Sequence, residues 1–415
     1  MGRSVIVIGG GASGMTAAIF AARAGASVTI VEHGEKLGKK ILSTGNGRCN
    51  LTNLHMDAGC FRSDNAGFAA AALKLFGAGD ALEFFDGLGL VVKDKNGYVY
   101  PRSEQASAVR ELLVMETERL GIRAELNIQV RRILCGKTGR GTGFCVETDR
   151  GTCASDCLIL AAGGKAASFT GSDGSGYALA ESLGHRIIQP LPALVQLRCG
   201  ERVYKSLAGV RTDGRVRLLV NGKTAAEDSG EIQLTDYGIS GIPVFQVSRF
   251  ASVGLAAGQP VEASLDFCPE MEFSAVEERI LTRGRQLKKM PAAVCGDLLN
   301  GWFNKKMIPV LLERAGIGAF VPAGELKRGQ ARALTAVIKD WKTKITAVNS
   351  FDSAQVCRGG ADTRQVNPET MESRRVRGLY FAGEILDVDG ICGGYNLQWA
   401  WTSGALAGKN AGGNR

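Results

Sequence analysis

The stretch SVIVIGGGASGMTAAIFAARAGASVTIVE spans residues 4–32 and decides the fold. An apolar run leads into Gly9, Gly11 and Gly14 in G-x-G-x-x-G spacing, a small-residue helix pattern follows, and a β-branched run ends on Glu32. This order predicts a strand–turn–helix–strand unit whose helix N-terminus binds a pyrophosphate. A carboxylate at Glu32 would accept a hydrogen bond from a ribose 2′-OH and repel a 2′-phosphate, so the unit favours FAD or NAD over NADP.

Length and composition are those of an ordinary globular chain. The 415 residues exceed the usual size of one hydrophobic core, so we expect two or three domains. No apolar run reaches the roughly 18 residues that cross a bilayer. The apolar start flows into the glycine turn and has no small-residue cleavage site, so it is a strand rather than a signal peptide. We therefore expect a cytoplasmic protein without a membrane partner.

Charge and cysteine content narrow the class further. The net charge of +9 permits an anionic partner such as nucleic acid without requiring one. Three basic clusters, at 36–40, 283–289 and 372–377, are interpreted as solvated surface. The 11 cysteines form no C-x-x-C pair and the chain has only 3 histidines. We therefore expect reduced thiols and no metal site.

The loop after the first unit has the sequence KLGKKILSTGNGRCNLTN, residues 36–53. Its three glycines interrupt any regular element, while Lys39, Lys40 and Arg48 add positive charge. This combination predicts a loop through which the backbone closely approaches an anionic or planar ligand.

The next third of the chain continues an α/β pattern. Helical spacing at 66–90 and 104–120 is followed by short β runs from 124 to 161, the last of which ends in a Gly163-Gly164 turn. That turn again allows close approach to a cofactor. The glycine-rich segment 171–185 lacks the G-x-G-x-x-G spacing, so we interpret it as a structural turn and helix.

Composition changes at Pro190, where short alternating segments begin. The predicted domains are a discontinuous α/β domain of 1–189 and 341–415, an antiparallel β module of 190–270, and a helical cap of 271–340. In this scheme the strand at 342–348 resumes the first fold. Inserts of this kind usually cover the active site.

The end of the chain supplies a second cofactor-binding region. A buried strand ends in Gly383-Glu384, and a glycine turn at 393–394 leads into a final helix. A ligand longer than NAD would reach these elements, and a helix N-terminus there would stabilise an anionic reduced flavin.

With these residues the chain resembles the YhiN/BaiN-type FAD-dependent oxidoreductases, relatives of the glutathione-reductase-like flavoproteins. The resemblance rests on GGGASG at 9–14, TGNGRCNLTN at 44–53, LAAGG at 160–164, GSDGSGYALAESLGH at 171–185, LPALVQL at 191–197, DYGISG at 236–241 and FAGEILDVDGICGGYNLQWAWTSG at 381–404. It implies an α/β fold with a Rossmann-like FAD-binding domain of the glutathione-reductase type, an inserted antiparallel β module and a helical cap.

The resemblance also implies a set of FAD contacts. These are Gly9, Gly11, Ala12, Ser13, Gly14, Glu32, His33, Lys40, Gly47, Arg48, Cys49, Asn50, Val130, Ala162, Gly163, Gly164, Gly383, Glu384, Gly394, Asn396 and Leu397. The chain departs from the family pattern at two positions. Asp236 stands where the family has a histidine, and Ile242 where it has a proline. We therefore assign no role to an imidazole in that block.

Family members are linked to reduction of activated carbon–carbon double bonds, in a ribosomal RNA uridine or a steroid, and to oxidation of small amines. We expect hydride transfer from flavin N5 to such a double bond, with NADH or NADPH as transient reductant. Two alternatives stay open: an oxygen-using oxidase of small amines or amino acids, and an RNA-binding flavoprotein without turnover. The sequence predicts no oligomeric state.

Reduction of a double bond also needs a proton donor to the second carbon. Cys49 and Cys392 lie in segments predicted to border the flavin ring, so each is a candidate donor. Arg48 would stabilise a developing enolate, and Tyr395 would stack on or border the ring. The alternative for each cysteine is the role of a small buried hydrophobic residue. For Arg48 it is a phosphate or backbone contact, and for Tyr395 it is packing in the core.

Overall fold

The computed structural model describes residues 2–138 and 141–413. The helices are α1 Ala12–Arg23, α2 Phe68–Leu73, α3 Ala78–Gly87, α4 Ala106–Arg119, α5 Ser175–Ser182, α6 Tyr204–Leu207, α7 Ile242–Ala256, α8 Phe273–Leu287, α9 Met307–Arg314, α10 Arg328–Lys339 and α11 Tyr395–Gly412.

The strands are short, as expected of an α/β chain with a separate β module. They are β1 Ser4–Ile8, β2 Ser27–Val31, β3 Thr52–Asn53, β4 Phe61–Arg62, β5 Val92–Lys95, β6 Tyr98–Pro101, β7 Arg123–Glu125, β8 Val130–Thr138, β9 Gly141–Thr148, β10 Gly151–Ser155, β11 Cys157–Leu160, β12 Ile187–Ala193, β13 Leu197–Cys199, β14 Arg211–Val220, β15 Lys223–Thr235, β16 Gly238–Ser240, β17 Val261–Asp266, β18 Trp341–Val348, β19 Val356–Ala361, β20 Leu379–Phe381 and β21 Asp389–Gly390.

The chain divides into two compact units. One consists of Met1–Leu191 together with Ala354–Arg415, and the other is Pro192–Ser353. The first unit contains the nucleotide-binding elements, and the second contains the inserted β module with its helices.

The first unit is built on a five-stranded parallel sheet in the order β20-β11-β1-β2-β7. β1 and β11 are fully buried along their apolar runs, because parallel strands covered on both faces have no solvent side. β2 and β11 flank β1 on opposite sides, so the carboxyl end of β1 lies at the point where the strand order reverses. Ligands bind at this position in open α/β sheets. The predicted Rossmann-like fold is confirmed.

The first and last helices of this unit pack at close range. Gly404, Gly408 and Gly412 recur every four residues along α11, and a Cβ atom on any of them would overlap a backbone carbonyl oxygen of α1. The three carbonyls belong to Ser13, Ala17 and Ala21. A stripe of glycines thus brings the two helix backbones together, and it fixes the start of α11 relative to the glycine turn before α1.

The second unit is a closed barrel in the order β13-β16-β15-β14-β17-β18, with α7 to α10 in the same unit. The structure corrects one detail of the sequence interpretation here. The strand at 341–348 does not resume the nucleotide-binding fold, because β18 pairs antiparallel with both β17 and β13 and so closes the barrel. Its alternating burial, with Trp341, Thr343 and Ile345 inside, fits a barrel wall.

Candidate cofactor and active site

The glycine turn after β1 has the geometry that nucleotide binding requires. Gly9 has a positive φ of 101°, and a Cβ there would overlap the carbonyl oxygen of Ala161 in the neighbouring segment. Gly14 lies against Gly9 itself, so a side chain there would separate helix from turn. At Gly11, by contrast, nothing lies within 4 Å of a Cβ position. The turn is therefore packed at two glycines and open at the third, in front of the free N–H groups of α1.

Glu32 is fixed at the end of β2 by backbone donors. Its Oε2 accepts a hydrogen bond from the N–H of Gly10 at 2.6 Å, and its Oε1 accepts one from Gly34 at 2.7 Å. His33 Nε2 lies 3.9 Å from the same Oε1. Each carboxylate oxygen keeps a further lone pair, so a positioned Glu32 can still accept hydrogen bonds from a ribose.

A cleft of about 400 Å³, counted with its opening to solvent, lies beside Glu32. Its lining includes five of the residues expected to contact FAD, namely Gly9, Glu32, His33, Val130 and Ala162. Gly171 and Ser175 also line the cleft, although sequence reasoning assigned their segment to a structural turn. The missed signal is the glycine-rich start of α5, which brings a second helix N-terminus to the same cleft.

A second group of predicted residues meets around Glu384. Lys40 Nζ lies 2.7 Å from Glu384 Oε2 and also donates to the carbonyl oxygen of Ala166 at 3.1 Å. The other carboxylate oxygen accepts from the N–H of Cys357 at 2.9 Å, a contact that no sequence pattern indicated. A Cβ at Gly164 would lie 3.1 Å from the Glu384 carboxyl group, so this glycine leaves room for the side chain.

Side chains of α1 and α11 hold the turn that carries Glu384. The N–H of Gly383 donates to Ser403 Oγ at 2.8 Å, and Trp399 Nε1 donates to the carbonyl oxygen of Gly383 at 3.2 Å. From α1, Ser13 Oγ donates to the carbonyl oxygen of Ala382 at 3.3 Å. These buried contacts connect the first glycine turn to the last cofactor segment.

Residues 47–50, which we call the GRCN loop, lie against the start of α11. The Asn50 amide, oriented to satisfy its neighbours, donates to the carbonyl oxygens of Thr52 and Val99 and accepts from the N–H of Gly394 at 3.3 Å. The preceding Gly47 is exposed. The Arg48 guanidinium is also exposed and lies 5.6 Å from the centre of the Tyr100 ring.

At the N-terminus of α11 the side chain of Asn396 has a structural role. Its Oδ1 accepts from the N–H of Gly390 at 2.8 Å, and its Nδ2 donates to the carbonyl oxygen of Gly390 at 2.9 Å. Because the amide is bonded to Gly390, the group that Asn396 could offer a cofactor is its backbone N–H. That N–H and the N–H of Leu397 belong to the first turn, where helix N–H groups have no intrahelical partner.

The four candidate catalytic residues lie in different environments. Cys49 is fully buried, and burial raises the pKa of its thiol to about 12. Tyr395 is also buried; its hydroxyl donates to the carbonyl oxygen of His55 at 2.8 Å, and burial raises its pKa. Cys392 is only half-buried, with its Sγ 3.9 Å from Gln355 Oε1. Arg48 and Cys392 are thus the two candidates whose side chains reach solvent.

Within the described ranges, 2–138 and 141–413, no group of three or more His, Cys, Asp or Glu side chains is arranged to hold a metal ion. No helix in the same ranges is both long enough and apolar enough to cross a membrane.

Comparison with known proteins agrees with the geometry. The family model described as HI0933-like protein Rossmann domain matches residues 3–410. The 3-dehydro-bile acid delta(4,6)-reductase of Clostridium scindens is 50% identical over 407 residues, which is 98% of each chain. The ribosomal RNA dihydrouridine synthase of Escherichia coli is 30% identical over 404 residues, 96% of this chain and 95% of that protein.

A solved structure supports the fold alone. The 3-ketosteroid delta1-dehydrogenase of Sterolibacterium denitrificans aligns with 98% of this chain and 99% of its own length, at a TM-score of 0.50 and 13% identity. The family match and the relatives extend over nearly the whole sequence, so the resemblance found in the motifs is confirmed. The chain belongs to the HI0933-like Rossmann family, the YhiN/BaiN type of FAD-dependent oxidoreductases.

Proposed function

We propose that this protein reduces a carbon–carbon double bond conjugated to a carbonyl group in a steroid-like molecule, with NADH or NADPH as the reductant. The observation that carries the proposal is the 50% identity to a 3-dehydro-bile acid delta(4,6)-reductase across 98% of both chains. Identity to the ribosomal RNA dihydrouridine synthases of Escherichia coli and Haemophilus influenzae is 30%. One name specifies a reductase of a bile acid and the other the formation of dihydrouridine, and the higher identity favours the steroid.

The described residues fit a bound FAD. The cleft beside Glu32 would take the adenosine, and the open position at Gly11 would admit the pyrophosphate in front of α1. Lys40 and Glu384 would contact the middle of the cofactor, and the first turn of α11 would face the pyrimidine edge of the ring. When bound, the flavin supplies hydride transfer from N5.

The chain's own residues would supply polarisation and a proton. The exposed Arg48 guanidinium would donate hydrogen bonds to the substrate carbonyl oxygen, where negative charge develops. Cys392, half-buried at the Gly393-Gly394 turn, would deliver a proton to the second carbon. Cys49 and Tyr395 would shape the site, because their polar atoms are buried.

Reduction of a uridine in ribosomal RNA is the second candidate. It is favoured by the two dihydrouridine synthases that match over nearly the whole chain and by the net charge of +9. A uridine ring contains the same conjugated carbonyl and double bond, so the residues assigned above would act in the same way.

The test separates the half-reactions. Under anaerobic conditions the purified flavoprotein is mixed with NADH or NADPH, and flavin bleaching is followed by stopped flow. A steroid 4,6-dien-3-one or 4-en-3-one is then added, and we expect reoxidation of the flavin together with a product that has gained two hydrogens by mass spectrometry.

Any of four results would contradict the proposal. If the flavin stays oxidised with both nicotinamides, neither NADH nor NADPH is the reductant. If oxygen is reduced to peroxide when a small amine is added, the protein is an oxidase. The protein can also be supplied to cells that lack its gene. If it restores dihydrouridine in their ribosomal RNA but turns over no steroid, the substrate is RNA. RNA binding without any turnover would leave only the binding function.

A further inference from the structure

Two loops of the second unit join to form an exposed apolar surface, which we call the apolar tip and define as residues 288–292 and 318–322. Backbone hydrogen bonds connect the loops just behind it. Cys295 N–H donates to the carbonyl oxygen of Val321 at 2.7 Å, and Gly296 N–H donates to that of Ala319 at 2.9 Å. Ala323 N–H in turn donates to the carbonyl oxygen of Ala293 at 3.0 Å. The two loops therefore form one supported surface.

The side chains of the apolar tip point to solvent. Phe320 is 90% exposed, Met290 59% and Val321 38%, whereas Ala293, Cys295 and Ala323 behind them are buried. Single exposed apolar residues are common on protein surfaces, but a group of large exposed apolar side chains marks an interaction site. Here two loops that hydrogen-bond to each other supply the three side chains. A phenyl ring at 90% exposure has no neighbouring wall, so the surface is convex and does not form a groove that would enclose a peptide or a small ligand.

Basic residues adjoin the apolar tip. Lys288 and Lys289 directly precede Met290 and both are exposed, and the Lys288 side chain packs beside Gly324 of the other loop. Lys327 and Arg328, both exposed, follow the second loop at the start of α10. The cluster at 283–289, which the sequence analysis interpreted as solvated surface, therefore borders exposed apolar side chains.

We propose that the apolar tip docks this protein onto an anionic lipid bilayer. Apolar side chains on a convex surface with adjacent lysines match the boundary between acyl chains and negatively charged headgroups. Single-stranded RNA would need successive aromatic rings on which bases stack, and Phe320 is the single aromatic residue of the apolar tip. The inference extends beyond the proposed reaction and does not depend on it.

Vesicle flotation of the FAD-loaded full-length protein tests the proposal. We expect co-flotation with vesicles containing phosphatidylglycerol and weaker co-flotation with pure phosphatidylcholine. Phe320→Ser with Met290→Ser should weaken binding to both kinds of vesicle, by roughly tenfold or more, because burial of the two side chains is lost. Lys288→Gln with Lys289→Gln should weaken binding to the anionic vesicles by about 25-fold, at about fivefold per lysine.

Matched controls use exposed residues elsewhere. Met115→Ser, at a side chain that is 61% exposed on α4, should leave flotation unchanged. Lys205→Gln with Lys223→Gln removes the same charge from the second unit and should also have no effect. Two results would overturn the proposal. One is no flotation with either vesicle. The other is unchanged flotation of the variants at the apolar tip. That result overturns the proposal even if the same variants lose binding to a ribosomal RNA fragment, or lose self-association in sedimentation equilibrium.

Discussion

Lys40 Nζ lies 2.7 Å from Glu384 Oε2, although the two residues are 344 positions apart in the chain. Lys40 also bonds to Ala166, and the other Glu384 oxygen bonds to Cys357. The ion pair joins the loop of residues 36–53 to the Gly383 turn. The two hydrogen bonds extend the connection to the segment after the Gly163-Gly164 turn and to β19. These segments border the region expected to hold the middle of FAD.

Loss of this ion pair should weaken FAD binding more than it weakens the fold. Both side chains are partly exposed, so Lys40→Met should change stability by no more than about 1 kcal/mol. The loops that face the cofactor lose their connection, and we expect FAD affinity to fall at least about fivefold. Fluorescence quenching of the apoprotein on FAD titration measures it. Lys36→Met is the control, because its contact with Glu35 is 3.9 Å long and exposed. Equal affinity in the two variants would contradict the assignment.

The glycine stripe of α11 should tolerate no side chain. A Cβ at Gly408 would overlap the carbonyl oxygen of Ala17, so Gly408→Ala should separate α1 from α11 and destabilise the protein by about 1–3 kcal/mol. Gly79→Ala is the control, since Gly79 lies in α3 with open space around its Cβ position. There we expect a gain of up to about 1 kcal/mol. Urea unfolding midpoints compare the two, and equal shifts would refute close packing as the cause.

Cys392 should be the thiol that matters for turnover. Cys392→Ser should slow substrate reduction by roughly 100-fold if the thiol delivers the proton, while flavin reduction by nicotinamide stays unchanged. Cys135→Ser, at an exposed thiol on β8, should change neither half-reaction. A slower flavin reduction in Cys392→Ser would instead indicate disturbed cofactor binding.

The difference in burial between the two site cysteines should be visible chemically. Burial raises the pKa of Cys49 to about 12, so almost none of it is thiolate near pH 8, and its sulfur is closed to reagents. Iodoacetamide followed by peptide mass spectrometry should label Cys392 at least about tenfold faster than Cys49 in the folded protein. Equal rates in urea would confirm that the fold is responsible. Fast labelling of Cys49 without urea would contradict its buried position.

His185 should make stability depend on pH. The ring is buried, packs edge-on against Phe381 at 4.8 Å and hydrogen-bonds through Nε2 to Ser373 Oγ at 2.8 Å. Burial lowers its pKa from the ordinary 6.5, so the unfolded chain takes up the proton first as pH falls. The contribution to stability is therefore complete above about pH 6.5 and is lost as pH falls below it towards the folded-state pKa.

His185→Gln removes the titrating ring at this position. Its free energy of unfolding should fall less steeply than that of the wild type between about pH 7.5 and about pH 5. Comparison of the two proteins near pH 8, where both side chains are neutral, gives the effect of the substitution itself. Parallel pH profiles would show that His185 does not titrate differently on unfolding.

The glycine spacing and the acidic residue after β2 were enough to predict the nucleotide-binding unit, because each has a local steric or electrostatic cause. The placement of β18 was not predictable in the same way. Alternating burial at Trp341, Thr343 and Ile345 shows that one face is covered, but it does not identify the partner strands. The strand was therefore assigned to the wrong sheet.

Side-chain partners of the site were the least predictable part. The sequence did not predict that the Asn396 amide bonds to Gly390, whose position depends on a turn that no periodicity describes. Cys357 reaches Glu384 through its backbone N–H, which carries no sequence signal. The exposure of Phe320 also depends on how two loops meet, so the sequence did not predict the apolar tip and led us to expect no membrane partner.

The long separation in sequence between the segments that meet at the site has a consequence for biosynthesis. Ser13 and Ala382, which hydrogen-bond to each other, are 369 positions apart, and α11 follows both in the chain. A ribosome makes the glycine turn early, yet the segments expected to border the flavin ring emerge only near the close of translation. Stable capture of FAD is therefore expected after translation of these segments, and a nascent chain cut short before α11 should leave the ribosome without its cofactor.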